Sequence, residues 1–212
     1  MIAKEGVRIV IPLLIITLLA MYLGGLLDSY FLTILSWVAL FGLIFSMYFF
    51  RDPERVTPED SAAFVAPADG EIVDIRTVED PFVGAGLKIS IFMSPLSVHV
   101  NRAPCNGVIR HIEHQSGKFL SAFKPEASFE NEQCRMTLEK DGLKVVVTQI
   151  SGFFARRIVS RVKVGQNLAK GERFGMIMFG SRVEIIVPEN LRIIAKLGEK
   201  VRAGETVIGA IV

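Results

Sequence analysis

The sequence predicts a mostly β fold, a compact barrel or sandwich over residues 61–212, preceded by a two-helix hydrophobic hairpin over residues 1–50. Three observations carry this. Two uncharged apolar stretches stand at the amino terminus, each about the ~20 residues a helix needs to cross a bilayer. Beyond residue 60 the chain breaks into short β-prone runs divided by turn residues. Finally, one segment of the carboxy-terminal half recurs a few tens of residues later with the same order of turns and apolar positions.

The first stretch, 9–27, and the second, 30–50, are joined only through Leu27-Asp28-Ser29-Tyr30, short enough for a tight helical hairpin. Lys4 and Arg8 precede the first, and Arg51 and Arg55 follow the second. Under the positive-inside tendency both flanks face the cytoplasm and Asp28 marks the far side. A cleaved signal peptide shares the pattern of charge followed by an apolar core. The second span directly behind the first favours an anchor instead, whether it crosses the membrane or dips into one leaflet.

Residues 51–60, with two prolines and alternating charge, read as a linker. After it, 71–76 reads as a strand following the turn Pro67-Ala68-Asp69-Gly70. The runs 87–93, 107–113, 135–138, 143–150, 157–164 and 183–188 read likewise. Short helical pieces are expected only near 95–98 and 153–157.

The recurrence sets Val164-Gly165-Gln166-Asn167-Leu168-Ala169-Lys170-Gly171-Glu172 against Leu197-Gly198-Glu199-Lys200-Val201-Arg202-Ala203-Gly204-Glu205. Each copy reads as strand, glycine turn, short strand and Gly-Glu turn. Two such half-units facing one another would resemble the flattened barrel of biotinyl and lipoyl carrier domains. No lysine stands in the setting that carries the cofactor there, so the repeat is architectural.

Composition narrows the function. Half of the 212 residues are hydrophobic, and mean hydropathy is +0.43, with the excess in the first fifty. A net charge of +2 with no basic run among aromatics gives no reason to expect nucleic acid. Cys105 and Cys134 fit neither a disulfide framework nor a paired-cysteine metal site. The three histidines, His99, His111 and His114, show no metal-ligand spacing.

Chemistry concentrates in a few places. Met176-Ile177-Met178-Phe179-Gly180-Ser181-Arg182-Val183 puts a Gly-Ser pair between two apolar runs. That is an ordinary turn composition. It is also where a hydroxyl can attack the carbonyl of a preceding residue that has no side chain to obstruct it. Asp69 reads as a turn aspartate and His99, between Val98 and Val100, as a core histidine. As a set, Asp69, His99 and Ser181 are the types that activate a weak nucleophile: acid orients base, and base takes the hydroxyl proton.

Four motifs together resemble the phosphatidylserine decarboxylase family, in its short prokaryotic form. They are Ala66-Pro67-Ala68-Asp69-Gly70, His99-Val100-Asn101-Arg102-Ala103-Pro104, Ala155-Arg156-Arg157-Ile158 and Phe179-Gly180-Ser181. The resemblance runs from about Phe50 to Val212, and the hydrophobic hairpin suits the short form. Two departures stand out. Longer members have Leu-Gly-Ser-Thr where this chain has Phe179-Gly180-Ser181-Arg182, and a second histidine where Arg102 stands. Either His99 serves both self-cleavage and decarboxylation, or another group helps.

The resemblance implies a proenzyme that cuts itself between Gly180 and Ser181, giving a large chain 1–180 and a small chain 181–212. Ser181 would become a pyruvoyl group, forming a Schiff base with the amine of phosphatidylserine and acting as electron sink on the way to phosphatidylethanolamine. No metal and no pyridoxal phosphate are implied. His99 would be the base with Asp69 behind it, and Arg156, Arg157 and Arg102 are candidates for the lipid phosphate or carboxylate, with plain surface charge as the alternative. The expected setting is the cell membrane with the catalytic domain on the cytoplasmic side, and a homodimer at most. The competing expectation is a membrane-anchored barrel without catalysis, acting as an adaptor or assembly module.

Overall fold

The computed structural model describes residues 1–123, 126–152, 157–178 and 181–211. The chain divides into two compact units, Met1–Glu54 and Arg55–Val212.

The first unit is a helical hairpin. Helices α1 (Lys4–Leu26) and α2 (Tyr30–Phe49) are both long and apolar enough to cross a membrane. Ser29 caps α2, its hydroxyl accepting from the Leu32 amide. Asp28 takes a positive φ of 48° to close the turn. The residues buried where the helices meet are mostly small: Thr17, Ala20 and Gly24 on α1, Ser36 and Ala39 on α2. Small side chains let the two backbones approach, which is how apolar helices pack when no water drives them together. The outward side chains, among them Leu18, Tyr22, Phe31, Trp37 and Phe41, are exposed, as a lipid-facing surface requires.

The second unit is mostly β, as the run of short apolar segments predicts. Its strands are β1 (Ala63–Val65), β2 (Gly70–Asp80), β3 (Gly84–Met93), β4 (Val100–Arg102), β5 (Gly107–Gln115), β6 (Gln133–Lys140) and β7 (Leu143–Ile150). There follow β8 (Arg157–Ser160), β9 (Asn167–Leu168), β10 (Arg173–Met178), β11 (Ser181–Pro188), β12 (Leu191–Ile193), β13 (Lys200–Val201) and β14 (Val207–Ile211). Eight strands form one sheet in the order β13-β2-β3-β11-β7-β6-β5-β9, which curls as a half-barrel rather than closing. Two three-stranded sheets, β1-β14-β12 and β4-β10-β8, complete the unit. Alternation separates the faces of the large sheet. Ile89, Ile91, Met93, Val145, Val147, Val183, Ile185 and Val187 point into the core, while Lys88, Ser90, Thr148, Arg182 and Glu184 occupy the other face.

Two short pieces differ from expectation. Residues 95–98 form a turn closed by Ser97 N–H to the Ser94 carbonyl, not a helix. A one-turn helix, α3 (Ala127–Glu130), appears instead in a polar loop. The other expected helical piece lies outside the described residues except for Arg157, which opens β8. That strand ends at Ser160, short of the expected 164.

The repeat is visible as matched local turns. Gly165 and Gly198 both have positive φ, 85° and 80°, as do Gly171 and Gly204 at 79° and 76°. Gly165 N–H bonds to the carbonyl of Ile109, and Gly198 N–H to that of Ile72. The copies thus supply β9 and β13, the opposite edges of the large sheet. The likeness to biotinyl and lipoyl carriers goes no further than these turns.

Candidate active site

Ser181 is the first residue of β11, in the middle of the large sheet between β3 and β7. Strand β10, which ends three residues earlier, belongs to a different sheet and pairs with β4 and β8. The Gly-Ser pair is therefore not the tip of a hairpin. Met178 and Ser181 thus belong to different sheets, and the two residues between them, Gly180 of the expected cleavage site included, lie outside the described residues.

Ser181 is fully buried, with its hydroxyl donating to Met93 Sδ at 3.3 Å. Met93 is its direct partner on β3. A thioether is a weak acceptor, so the hydroxyl is located without being strongly held. The same sulfur lies 3.7 Å from Asn101 Nδ2, and Asn101 Oδ1 accepts from Gln149 Nε2 at 2.8 Å. Asn101 and Gln149 are 0% and 1% exposed. An uncharged polar chain thus runs from Ser181 through the core to β7. Gly175 makes room for it: a Cβ there would come within 3.0 Å of Gln149 Nε2 and 2.5 Å of the Val159 carbonyl oxygen.

His99 immediately precedes β4 and is completely buried. Its carbonyl accepts from the Ile177 amide at 3.3 Å, tying it to the strand that leads towards Gly180. Its Nδ1 lies 2.9 Å from the Ser97 carbonyl oxygen. A carbonyl only accepts, so Nδ1 carries the proton and Nε2 is the basic nitrogen of the neutral ring. His111 and His114, read as surface residues, stand on β5.

Asp69 ends the turn before β2. Its Oδ2 is 2.7 Å from Arg55 Nη2, and its Oδ1 accepts from the Ala203 amide at 2.8 Å. Arg55 also reaches Glu205 at 2.9 Å, so the turn is tied to the second copy of the repeat. The guanidinium is a strong partner that the turn motif alone does not announce. Gly70 lets this segment lie against β3, since a Cβ would meet the Phe92 carbonyl oxygen at 2.1 Å. The Arg102 amide bonds to the Pro67 carbonyl at 2.9 Å, setting the Asp69 turn alongside the strand that follows His99.

The three candidate arginines have different settings. Arg102 is 6% exposed and donates through Nη1 to the Gly171 carbonyl at 2.9 Å. Arg157 is exposed and pairs with Met178, the last residue of β10. Arg156 lies outside the described residues. Behind Ser181, Arg182 is buried on the opposite face, where desolvation pulls its guanidinium down from the usual value and Glu184 and Asp74 oppose that. No group of three or more metal-ligating side chains occurs among the described residues.

The sequence reading missed Met93, Asn101, Gln149 and Arg55. For Met93, Asn101 and Gln149 the signal was a polar or sulfur-bearing residue at an inward position of an apolar stretch, such as Gln149 two places after Val147, whereas Arg55 in the linker carried none.

Comparison with known proteins places these residues in a wider group. A sequence model described as phosphatidylserine decarboxylase matches residues 43–209. A phosphatidylserine decarboxylase proenzyme of Prosthecochloris aestuarii is 43% identical over 209 residues, 98% of this chain and 96% of that protein. One from Chlorobium phaeobacteroides (strain BS1) is 41% identical over 210 residues, 99% of each. One from Salinibacter ruber is 47% identical over 179 residues, 82% of this chain and 79% of its own length.

Proposed function

The chain belongs to the phosphatidylserine decarboxylase family, and from that premise we propose that it is a proenzyme which cuts itself between Gly180 and Ser181 and then converts phosphatidylserine to phosphatidylethanolamine. The observation that carries this reading is the setting of Ser181: fully buried, weakly held by a thioether, and three residues after a strand that is tied to His99.

In the cleavage, His99 Nε2 takes the proton of Ser181 Oγ. Oγ bonds to the Gly180 carbonyl carbon, the C–N bond breaks, and the Ser181 nitrogen takes up a proton, leaving an ester. Loss of the Ser181 Cα proton then expels Gly180 as a carboxylate that carries the former Oγ. One water hydrolyses the resulting dehydroalanine through its imine tautomer, ammonia departs, and a ketone remains at the head of the small chain. Asp69, pinned by Arg55 and the Ala203 amide, is assigned to positioning the segment beside β4 that follows His99.

The surroundings of Ser181 suit the group that results. Conversion of Ser181 puts a methyl where Cβ–Oγ was, and the Met93 thioether, adequate for a hydroxyl, is better matched to a methyl. A pyruvoyl carbonyl supplies an electron sink for the pair left when CO2 departs. His99 as imidazolium is the donor for protonating that carbon. Arg157, exposed beside the end of β10, and Arg156 are assigned to the lipid phosphate. Arg102 is not, because its guanidinium is buried on Gly171. The two apolar helices hold the enzyme at the cytoplasmic face of the membrane that contains its substrate.

Intact mass spectrometry tests the reading. The mature protein should give one fragment ending at Gly180 and a second, from position 181, blocked to Edman sequencing. Borohydride with phosphatidylserine should tether lipid mass to the small fragment alone. A fully active, uncut chain of 212 residues would refute it.

A further inference from the structure

Strand β4 brings two polar side chains to one side of the core. The Ile177 amide bonds to the His99 carbonyl, so the pairing of β10 with β4 extends back to His99. Alternation then turns His99 and Asn101 to the same side. Asn101 Nδ2 lies 3.7 Å from Met93 Sδ, the atom that accepts from Ser181 Oγ at 3.3 Å. One weak acceptor therefore receives both the hydroxyl of Ser181 and an amide N–H, and the two donors are neighbours around it.

The orientation of that amide is fixed from behind. Asn101 Oδ1 accepts from Gln149 Nε2 at 2.8 Å, which leaves the NH2 end to face Met93 and Ser181. Gly175, the cross-strand partner of Asn101 on β10, supplies the room: a Cβ there would stand 3.0 Å from Gln149 Nε2 and 3.3 Å from its Oε1. A primary amide carries two N–H donors. Among the described residues, the one hydrogen-bond partner of Asn101 Nδ2 is the thioether. This completely buried amide thus has its oxygen well satisfied and its nitrogen nearly idle, beside an oxygen that must become negative to react.

We propose that Asn101 is a catalytic residue of self-cleavage: its Nδ2–H passes from Met93 Sδ to Ser181 Oγ as that oxygen loses its proton. Gln149 is the positioning residue that keeps the amide turned towards Ser181. When the Oγ–H bond breaks, the proton goes to His99 Nε2 and the bonding pair stays on Oγ, where the amide N–H meets it. The pair then forms the bond to the carbonyl carbon, and the proton passes to the Ser181 nitrogen as the C–N bond breaks. A thioether has no hydrogen to offer a charged oxygen, whereas an amide already in place and shielded from water favours the charged form over the neutral one. The inference rests on self-cleavage at Gly180-Ser181.

The test uses the full-length chain made by cell-free synthesis, with precursor and fragments followed on denaturing gels and by intact mass. Asn101→Ala should slow cleavage roughly 100-fold or more, the usual effect of removing one donor placed for a developing charge. Gln149→Leu, which frees the amide to turn, should slow it roughly tenfold, as for loss of one ordinary hydrogen bond. A second measurement reads the donor without cleavage. In a Ser181→Cys, His99→Ala precursor, the introduced thiol is titrated by the ultraviolet absorbance of its thiolate. Burial pushes Cys105 up to about 12 and Cys134 up to about 11, so both stay silent below that range. Adding Asn101→Ala or Gln149→Leu should move the midpoint of the introduced thiol upward, by about one pH unit for Asn101→Ala, because a hydrogen bond to the charged form is lost. Cleavage of Asn101→Ala at the wild-type rate would overturn the assignment, and so would an unmoved midpoint or a fall in melting temperature that accounts for the lost rate. A wild-type chain that never cleaves, or a Ser181→Ala chain that does, would instead refute self-cleavage at this bond.

Discussion

Strand β11 carries two buried polar systems on its two faces, and they are built in opposite ways. On the outer face, Glu184 lies 3.3 Å from Lys88 Nζ and accepts from Ser90 Oγ at 3.2 Å and Ser128 Oγ at 2.7 Å. Arg182 Nη1 donates to the same Ser128 hydroxyl at 3.0 Å. On the inner face, one residue earlier, Ser181 meets the Met93 thioether at 3.3 Å. Charges taken out of water must be paired or the fold fails, so the outer face is charge-paired. A nucleophile must be located yet remain free to change partner, so the inner face is not. The difference teaches that, in this sheet, reactivity lies where strong partners are withheld.

Six substitutions test that contrast, beginning with the largest effect. Ser181→Ala should abolish both cleavage and decarboxylation while leaving the melting temperature near wild type, because it loses only a weak hydrogen bond; any fragment on a denaturing gel would contradict it. His99→Ala should slow maturation by roughly 10²–10⁴, the range of a general base. Asp69→Asn should slow it less, and His111→Ala should cleave normally. Rapid cleavage in His99→Ala would remove that imidazole from the process.

The outer face should respond in stability rather than chemistry. Glu184→Ala removes the carboxylate that Lys88 and Arg182 share and should cost about 3–5 kcal/mol in urea unfolding, yet molecules that fold should still cut themselves. Unchanged stability would mean that these cations find other partners. The smallest effect is expected at Met93. Met93→Leu preserves volume but removes the sulfur acceptor, and cleavage should change by no more than about fivefold, as for loss of one weak hydrogen bond. A change of a hundredfold would show that the thioether does more than locate the hydroxyl.

A good deal of the architecture is legible from local pattern. Apolar helical spans announce α1 and α2, and alternation with turn residues announces β3, β7 and β11 close to their observed limits. These signals are readable because helix and strand formation depend on period and on nearby turns. Candidate chemistry was legible only as residue types in motifs: a hydroxyl after a glycine, a histidine among valines, an aspartate in a turn. Other features leave no local trace. Nothing in residues 173–188 says that β10 and β11 join different sheets, and nothing around Asp69 names Arg55 as its partner.

By itself, then, the sequence determined the two long helices and the longer strands, which faces are apolar, and which few side chains could react, because those properties are written within one or two turns of chain. Tertiary structure alone decided that Ser181 enters the centre of a sheet opposite Met93, that Arg102 is buried against the Gly171 carbonyl, and that Asp69 is pinned by Arg55. Each of those depends on strand order and register. They are set by how distant hydrophobic faces close around a shared core, and no spacing along the chain encodes them.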